Sequence, residues 1–182
     1  MGDKILYFAY GNNREQRIMQ ALTGNKNLVG HEATLKGYVL GIQRLDQVPN
    51  TRLSGLPVSP YEAIRRNWSD GFESYVIKKG DGEVTGMVWE LTPEERELVR
   101  DWELIELGWY KDAKGEAVLK DGKKIEIETY VLGDNQEIDR IVDGKEYNSF
   151  LSRPEDFLRV IEIARREYLE RLSVGKEKLS KV

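Results

Sequence analysis

The sequence predicts an α+β fold, a small, mostly antiparallel β-barrel with peripheral helices, on three observations. Short β-rich runs are separated by Gly80-Asp81-Gly82 and Asp121-Gly122, the punctuation of antiparallel hairpins. Capping-box patterns at Thr92-Pro93-Glu94-Glu95 and Ser152-Arg153-Pro154-Glu155 announce helices after those runs. The length of 182 residues suits one domain with a proper core. That domain is expected over residues 1–172, with an insert at about 44–68 and a frayed polar tail at 173–182.

Taken in order, Ile5 to Tyr10 is an unbroken apolar run, too short for a typical helix, and reads as a buried strand. Gly11 offers a backbone angle that other residues adopt only at a cost. Asn13 and Gln16 have the spacing of a capping box that opens a helix over residues 14–23, with Ile18, Met19 and Leu22 on its apolar side. A strand that turns straight into a helix aims several amide N–H groups at one spot, which attracts a carboxylate or phosphate. On spacing alone it also reads as a plain strand-to-helix turn, and no phosphate-loop or dinucleotide glycine pattern is present.

Residues 34–43 are strand-like, with bends at Gly37 and Gly41. Residues 44–68, punctuated by prolines, read either as a lid or specificity insert or as a disordered excursion, with two helical turns at 61–67. Residues 72–78 and 83–91 form the arms of a hairpin. Thr92 caps a helix carrying Leu98, Val99 and Trp102 and ending before Gly108. A second hairpin joins 117–120 to 123–132, and a last helix carries Phe157, Leu158, Ile161, Ala164, Tyr168 and Leu172.

Composition removes several chemistries. There is no cysteine, so thiol nucleophiles, disulfides and zinc-thiolate sites are out. The single histidine, His31, lies between Gly30 and Glu32, and no Gly-x-Ser-x-Gly turn accompanies it. No metal site and no cofactor are expected. A net charge of −4 gives no encouragement to nucleic acid or an anionic membrane. With no apolar run long enough to span a bilayer and no signal-peptide pattern, a cytoplasmic address is expected. Acid–base work would fall to a carboxylate. Asp101, Glu103 and Glu106 cluster where the Thr92 helix ends. The negative helix terminus, like charges and burial against Trp102 or Trp109 would all favour a protonated carboxyl. On the residues alone, the cluster also reads as solvated charge on a surface helix.

Tyr7-Phe8-Ala9-Tyr10-Gly11-Asn12-Asn13 resembles the Tyr-Phe-x-Tyr-Gly-Ser-Asn signature of the γ-glutamylcyclotransferase-like family, with Asn12 in place of the usual Ser. Gly86-Met87-Val88-Trp89-Glu90-Leu91 is similar to the family's Gly-x-Val-Trp-x-Leu strand. Val99-Arg100-Asp101-Trp102-Glu103-Leu104 stands in place of its Leu-Asp-x-x-Glu-Gly segment, with Arg100 for Asp and Leu104 for Gly. The resemblance covers roughly residues 4–172.

It implies that Glu103 is the catalytic acid–base, with Glu106 a weaker candidate. It implies that Tyr7, Tyr10, Gly11, Asn12 and Asn13, with Tyr110 seven residues after Glu103, and Tyr147 before the last helix, contact a small γ-glutamyl substrate. The implied reaction is attack of the γ-glutamyl α-amine on its own γ-carbonyl, releasing 5-oxoproline and a free amine or amino acid. Two alternatives stay open: a non-catalytic small-molecule binding module of the same fold, and a protein-interaction domain using the 44–68 insert. Leaving amine and oligomeric state are left open.

Overall fold

The computed structural model describes residues 4–68, 71–148 and 154–179. Strand β1 (Ile5–Ala9) is buried at Tyr7, Phe8 and Ala9, and both of its edges are paired. It runs antiparallel to β3 (Glu73–Leu91), from Ile5 opposite Leu91 to Ala9 opposite Met87, and parallel to β5 (Lys124–Leu132) at Tyr7 opposite Glu128. Strand β5 pairs antiparallel with β4 (Tyr110–Leu119), which pairs with β2 (Gly30–Arg44). Strand β2 returns to β3 and closes a five-stranded mixed barrel. A short β6 (Arg140–Ile141) adds to the free stretch of β2. Burial of Tyr7, Phe8 and Ala9 on both faces accounts for the apolar reading of most of β1.

The helices lie outside the barrel. α1 (Gln16–Thr23) buries Ile18, Met19 and Leu22 and stops at Gly24, whose φ of 76° is the left-handed terminator. α2 (Pro60–Arg65) lies in the 44–68 excursion. α3 (Pro93–Trp102) opens on the expected Thr92–Glu95 capping box. α4 (Pro154–Leu179) packs on α1 and α3 through Phe157 and Ile161. Ser152 and Arg153, which begin the expected Ser152–Glu155 capping box, lie outside the described residues. The last helix continues through the polar segment begun at Ser173, as far as Leu179.

Two local expectations are corrected. Residues 73–91 are one strand, not a hairpin. Lys36 faces Glu83 and Tyr38 faces Lys79, so Gly80, Asp81 and Gly82 bulge opposite Gly37 while both halves follow the same partner. A Cβ on Gly82 would sit 2.7 Å from the Tyr38 carbonyl oxygen, so glycine serves close strand approach there rather than a tight turn. At the other site, Asn13 does not cap α1. Glu15 holds the N-cap position without a side-chain bond, and a 3-10 turn (Asn12–Arg14) intervenes. Gly11 has φ −110°, so no left-handed backbone is needed there.

The 44–68 segment is structured among the described residues, which sets aside the disordered reading. Ser59 and Glu62 form a reciprocal cap on α2, Tyr61 N donates to Pro49 O at 3.0 Å, and Val48 and Ile64 are buried.

Candidate active site

The acid is positioned by the way α3 ends. Glu103 is its C-cap, and Leu104 follows with φ 53°. Leu104 N donates to Asp101 O at 3.1 Å and Ile105 N to Arg100 O at 3.2 Å. Those two bonds make a Schellman motif, whose left-handed position glycine normally occupies. The usual Gly of the family pattern thus has a backbone reason, and Leu104 meets the same demand with strain.

The loop after β1 meets this helix end. Asn13 Nδ2 donates to Glu103 Oε1 at 2.7 Å and to the Tyr7 hydroxyl at 3.2 Å. Its backbone oxygen accepts from Trp89 Nε1 at 2.8 Å, which pins the loop to β3. Within the 3-10 turn Arg14 N donates to Gly11 O and Glu15 N to Asn12 O. The amides of Gly11, Asn12 and Asn13 therefore precede the first turn bond, as at any helix start. The side-chain oxygens of Asn12 and Asn13 are buried and accept no hydrogen bond.

Aromatic side chains complete the surroundings. Tyr130 lies between its neighbours, with ring centres 5.9 Å from Tyr7, 5.0 Å from Tyr10 and 4.9 Å from Tyr110. Tyr110 shares a 3.2 Å hydrogen bond with Ser74 Oγ and stacks on Trp109. Tyr7, Tyr10 and Asn13 are fully buried, whereas Glu103 and Asn12 are half-buried. Although Glu103 keeps some exposure as a residue, protein surrounds its carboxyl, and burial pushes the group up to about 7. The Tyr130 hydroxyl, the Arg96 charge and the Asn13 amide oppose that shift by favouring the anion. Burial also raises Tyr7, Tyr10, Tyr110 and Tyr130, all of which stay protonated hydroxyls at neutral pH.

Of the acidic cluster, only Glu103 faces the loop. Asp101 pairs with Arg171 at 2.6 Å, and Glu106 is exposed and pairs with Arg100 at 2.5 Å. Arg100 also pairs with Asp112 and Glu97, so this departure from the family pattern is taken up away from Glu103. Tyr7, Tyr10, Asn13, Glu103 and Tyr110 come together, with Gly11 and Asn12 in the connecting loop. Tyr147 stands beside Tyr75, 6.1 Å between ring centres, and meets the loop through Arg14.

Sequence reading did not single out Tyr130 or Arg96. Tyr130 continues the polar face of Glu126 and Glu128, and the change to an aromatic there marks where that face becomes covered. Arg96 precedes Glu103 by seven residues, two helical turns on the same face. It is 2% exposed, stands 4.7 Å over the Tyr7 ring, donates to Asp112 at 3.3 Å and forms an ion pair with Glu128 at 3.5 Å. A surface depression of about 660 Å³ lies elsewhere, between Asp46, Leu53, Gly108 and Gln136. It includes neither Glu103 nor Asn13, so geometry rather than cavity size points to the site. Among the described residues no cluster of metal-ligating side chains occurs, and no helix is long and apolar enough to cross a membrane.

No protein-family model matches the chain, and no curated protein matches it in sequence. Solved structures do match in shape. One is a γ-glutamyl cyclotransferase, 20% identical, with TM-score 0.56, covering 75% of this chain and 70% of the other. Another is the uncharacterized protein loc79017 from Homo sapiens, also 20% identical with TM-score 0.56, over 74% and 69% of the two chains. In fold, then, the chain is similar to the γ-glutamyl cyclotransferase structure.

Proposed function

We propose that the protein is a γ-glutamyl cyclotransferase, which closes a γ-glutamyl group on itself to release 5-oxoproline and a free amine or amino acid. The observation that carries this reading is the 2.7 Å hydrogen bond between Asn13 and Glu103, which joins the amide-lined loop to a carboxyl that titrates near neutrality. An acid–base group works best when its pKa lies close to the working pH.

In this mechanism the amides of Gly11, Asn12 and Asn13 hold the substrate α-carboxylate. The unmet oxygens of Asn12 and Asn13 accept from the α-ammonium, whose donors match them. Ionised Glu103 removes a proton from that ammonium. The freed amine attacks the γ-carbonyl carbon, forming the ring C–N bond, and the bond to the departing nitrogen breaks as Glu103 returns the proton. The ring nitrogen loses two protons in all and the departing amine gains two, so the reaction balances without a co-reactant. Because the nucleophile is tethered, fixing its reactive rotamer supplies a large part of the rate, on the order of several kcal/mol. Tyr7, Tyr10, Tyr110 and Tyr130 exclude water and present neutral hydroxyls to the developing charges.

The test is to incubate the purified protein with γ-glutamyl amino acids and γ-glutamyl amines and assay 5-oxoproline. Glu103→Gln keeps the hydrogen bond from Asn13 but cannot carry a proton, so turnover is expected to fall about 10²- to 10⁴-fold. Undiminished turnover in that variant removes Glu103 from the mechanism. Tight binding with no product identifies a binding module instead.

A further inference from the structure

Arg14 follows Asn13 in the 3-10 turn, so its side chain leaves the loop about a third of a turn away from the one that holds Glu103. The guanidinium lies 4.6 Å over the Tyr147 ring. Stacking of this kind occupies the face of the group and leaves its edge, the fork that matches a carboxylate, available. Arg14 Nη1 is buried with no hydrogen-bond partner, and the residue forms no ion pair among the described residues. The acids that act on it from a distance, Glu15 and Glu32, do not bond it, and Glu32 is engaged by Lys120 at 3.2 Å. Burial draws its pKa below the usual arginine value, the mark of a cation short of a counter-charge.

We infer that Arg14 is a specificity-determining residue that grips the carboxylate of the departing amino acid or peptide. The site thereby prefers γ-glutamyl amino acids and peptides over γ-glutamyl amines. This deepens the cyclotransferase reading and rests on it. The α-carboxylate and the reacting atoms belong with the loop amides, Asn13 and Glu103. A group reached one residue further along the turn belongs to the part of the ligand that leaves. A charge-assisted, two-pronged contact of this kind corresponds to about 10- to 100-fold in affinity.

The experiment compares γ-glutamyl-alanine with γ-glutamyl-ethylamide, which differ only by the leaving-group carboxylate, in the wild-type protein, Arg14→Gln and Arg14→Lys. The ratio of kcat/KM for the two compounds is expected to favour alanine in the wild type. It should collapse about 10- to 100-fold in Arg14→Gln and be only partly restored by the unforked charge of Arg14→Lys. A wild type that does not discriminate, or an Arg14→Gln variant that discriminates as well as the wild type, overturns the inference while leaving the cyclotransferase reading intact. If neither compound is turned over, the cyclotransferase reading falls. The same ratio is then taken from calorimetric dissociation constants. Preferential binding that Arg14→Gln abolishes supports Arg14, and equal or absent binding rejects it.

Discussion

Glu103 is pulled in two directions at once. Burial drives its carboxyl towards the neutral acid, while Tyr130, Arg96 and Asn13 favour the anion, and the balance falls at about 7. In the proposed reaction only the anion can take the α-ammonium proton, so kcat/KM for a γ-glutamyl substrate is expected to rise with pH through about 7 and level off above it. Tyr130→Phe removes a hydroxyl that lowers this pKa. The acid limb should therefore move to higher pH, by about half a unit to one unit for a single hydrogen bond. A limb that stays in place, or moves towards acid, places Tyr130 outside the proton-transfer group. Arg96 acts in the same sense through its charge, but it also holds Asp112 and Glu128, so its removal mixes electrostatics with packing.

At the scale of the element, the end of α3 decides where the acid stands. The Schellman turn puts Leu104 in left-handed backbone at a cost of about 1–2 kcal/mol. Its half-buried side chain packs against the core and recovers a similar amount, about 1–2 kcal/mol. Leu104→Gly is accordingly expected to change stability by no more than about 1 kcal/mol, whereas Ile105→Gly, one residue on and buried, should cost about 3 kcal/mol or more. Chemical denaturation of both variants decides this, and a loss in Leu104→Gly as large as that in Ile105→Gly would show that the turn carries no strain. Boundaries set by local chemistry were legible in the sequence. Thr92 and Glu95 close their cap within four residues, and Gly24 ends α1 by its own backbone freedom. Gly80-Asp81-Gly82 reads as a hairpin turn in the sequence because a bulge and a hairpin turn ask for the same residues. What separates them is whether the two flanking arms pair with each other or with a third segment, here β2.

For the whole molecule, the Glu103 shift has a thermodynamic consequence. Its folded pKa of about 7 lies above the ordinary glutamate value of 4.5, so the folded protein holds a proton that the unfolded chain releases between those values. The cost of ionising this carboxyl is absent below about pH 4.5, grows as pH rises towards 7 and is constant above it. Because the residue is only half-buried, that cost is about 2 kcal/mol. Glu103→Gln should therefore be more stable than the wild type at pH 8, by roughly 4–8 °C in Tm, and nearly equal to it at pH 4.5. A variant with the same deficit or gain at both pH values would mean that the carboxyl is not held in a desolvated setting.

Helix α1 with its Gly24 stop, the capped α3 and the β4–β5 hairpin were legible in the sequence, because each rests on contacts among residues near one another in the chain. The resemblance pointed to Glu103 and to the Asn13 loop as parts of one site. Long-range packing settled that Asn13 abandons helix capping for Glu103, ninety positions away. Tyr130 and Arg96 join that group, and residues 73–91 run as one strand along β2. Barrel closure is the physical reason. It brings β1, β3 and β5 side by side and sets the end of α3 against the loop, and no local pattern encodes which distant segment a strand will pair with.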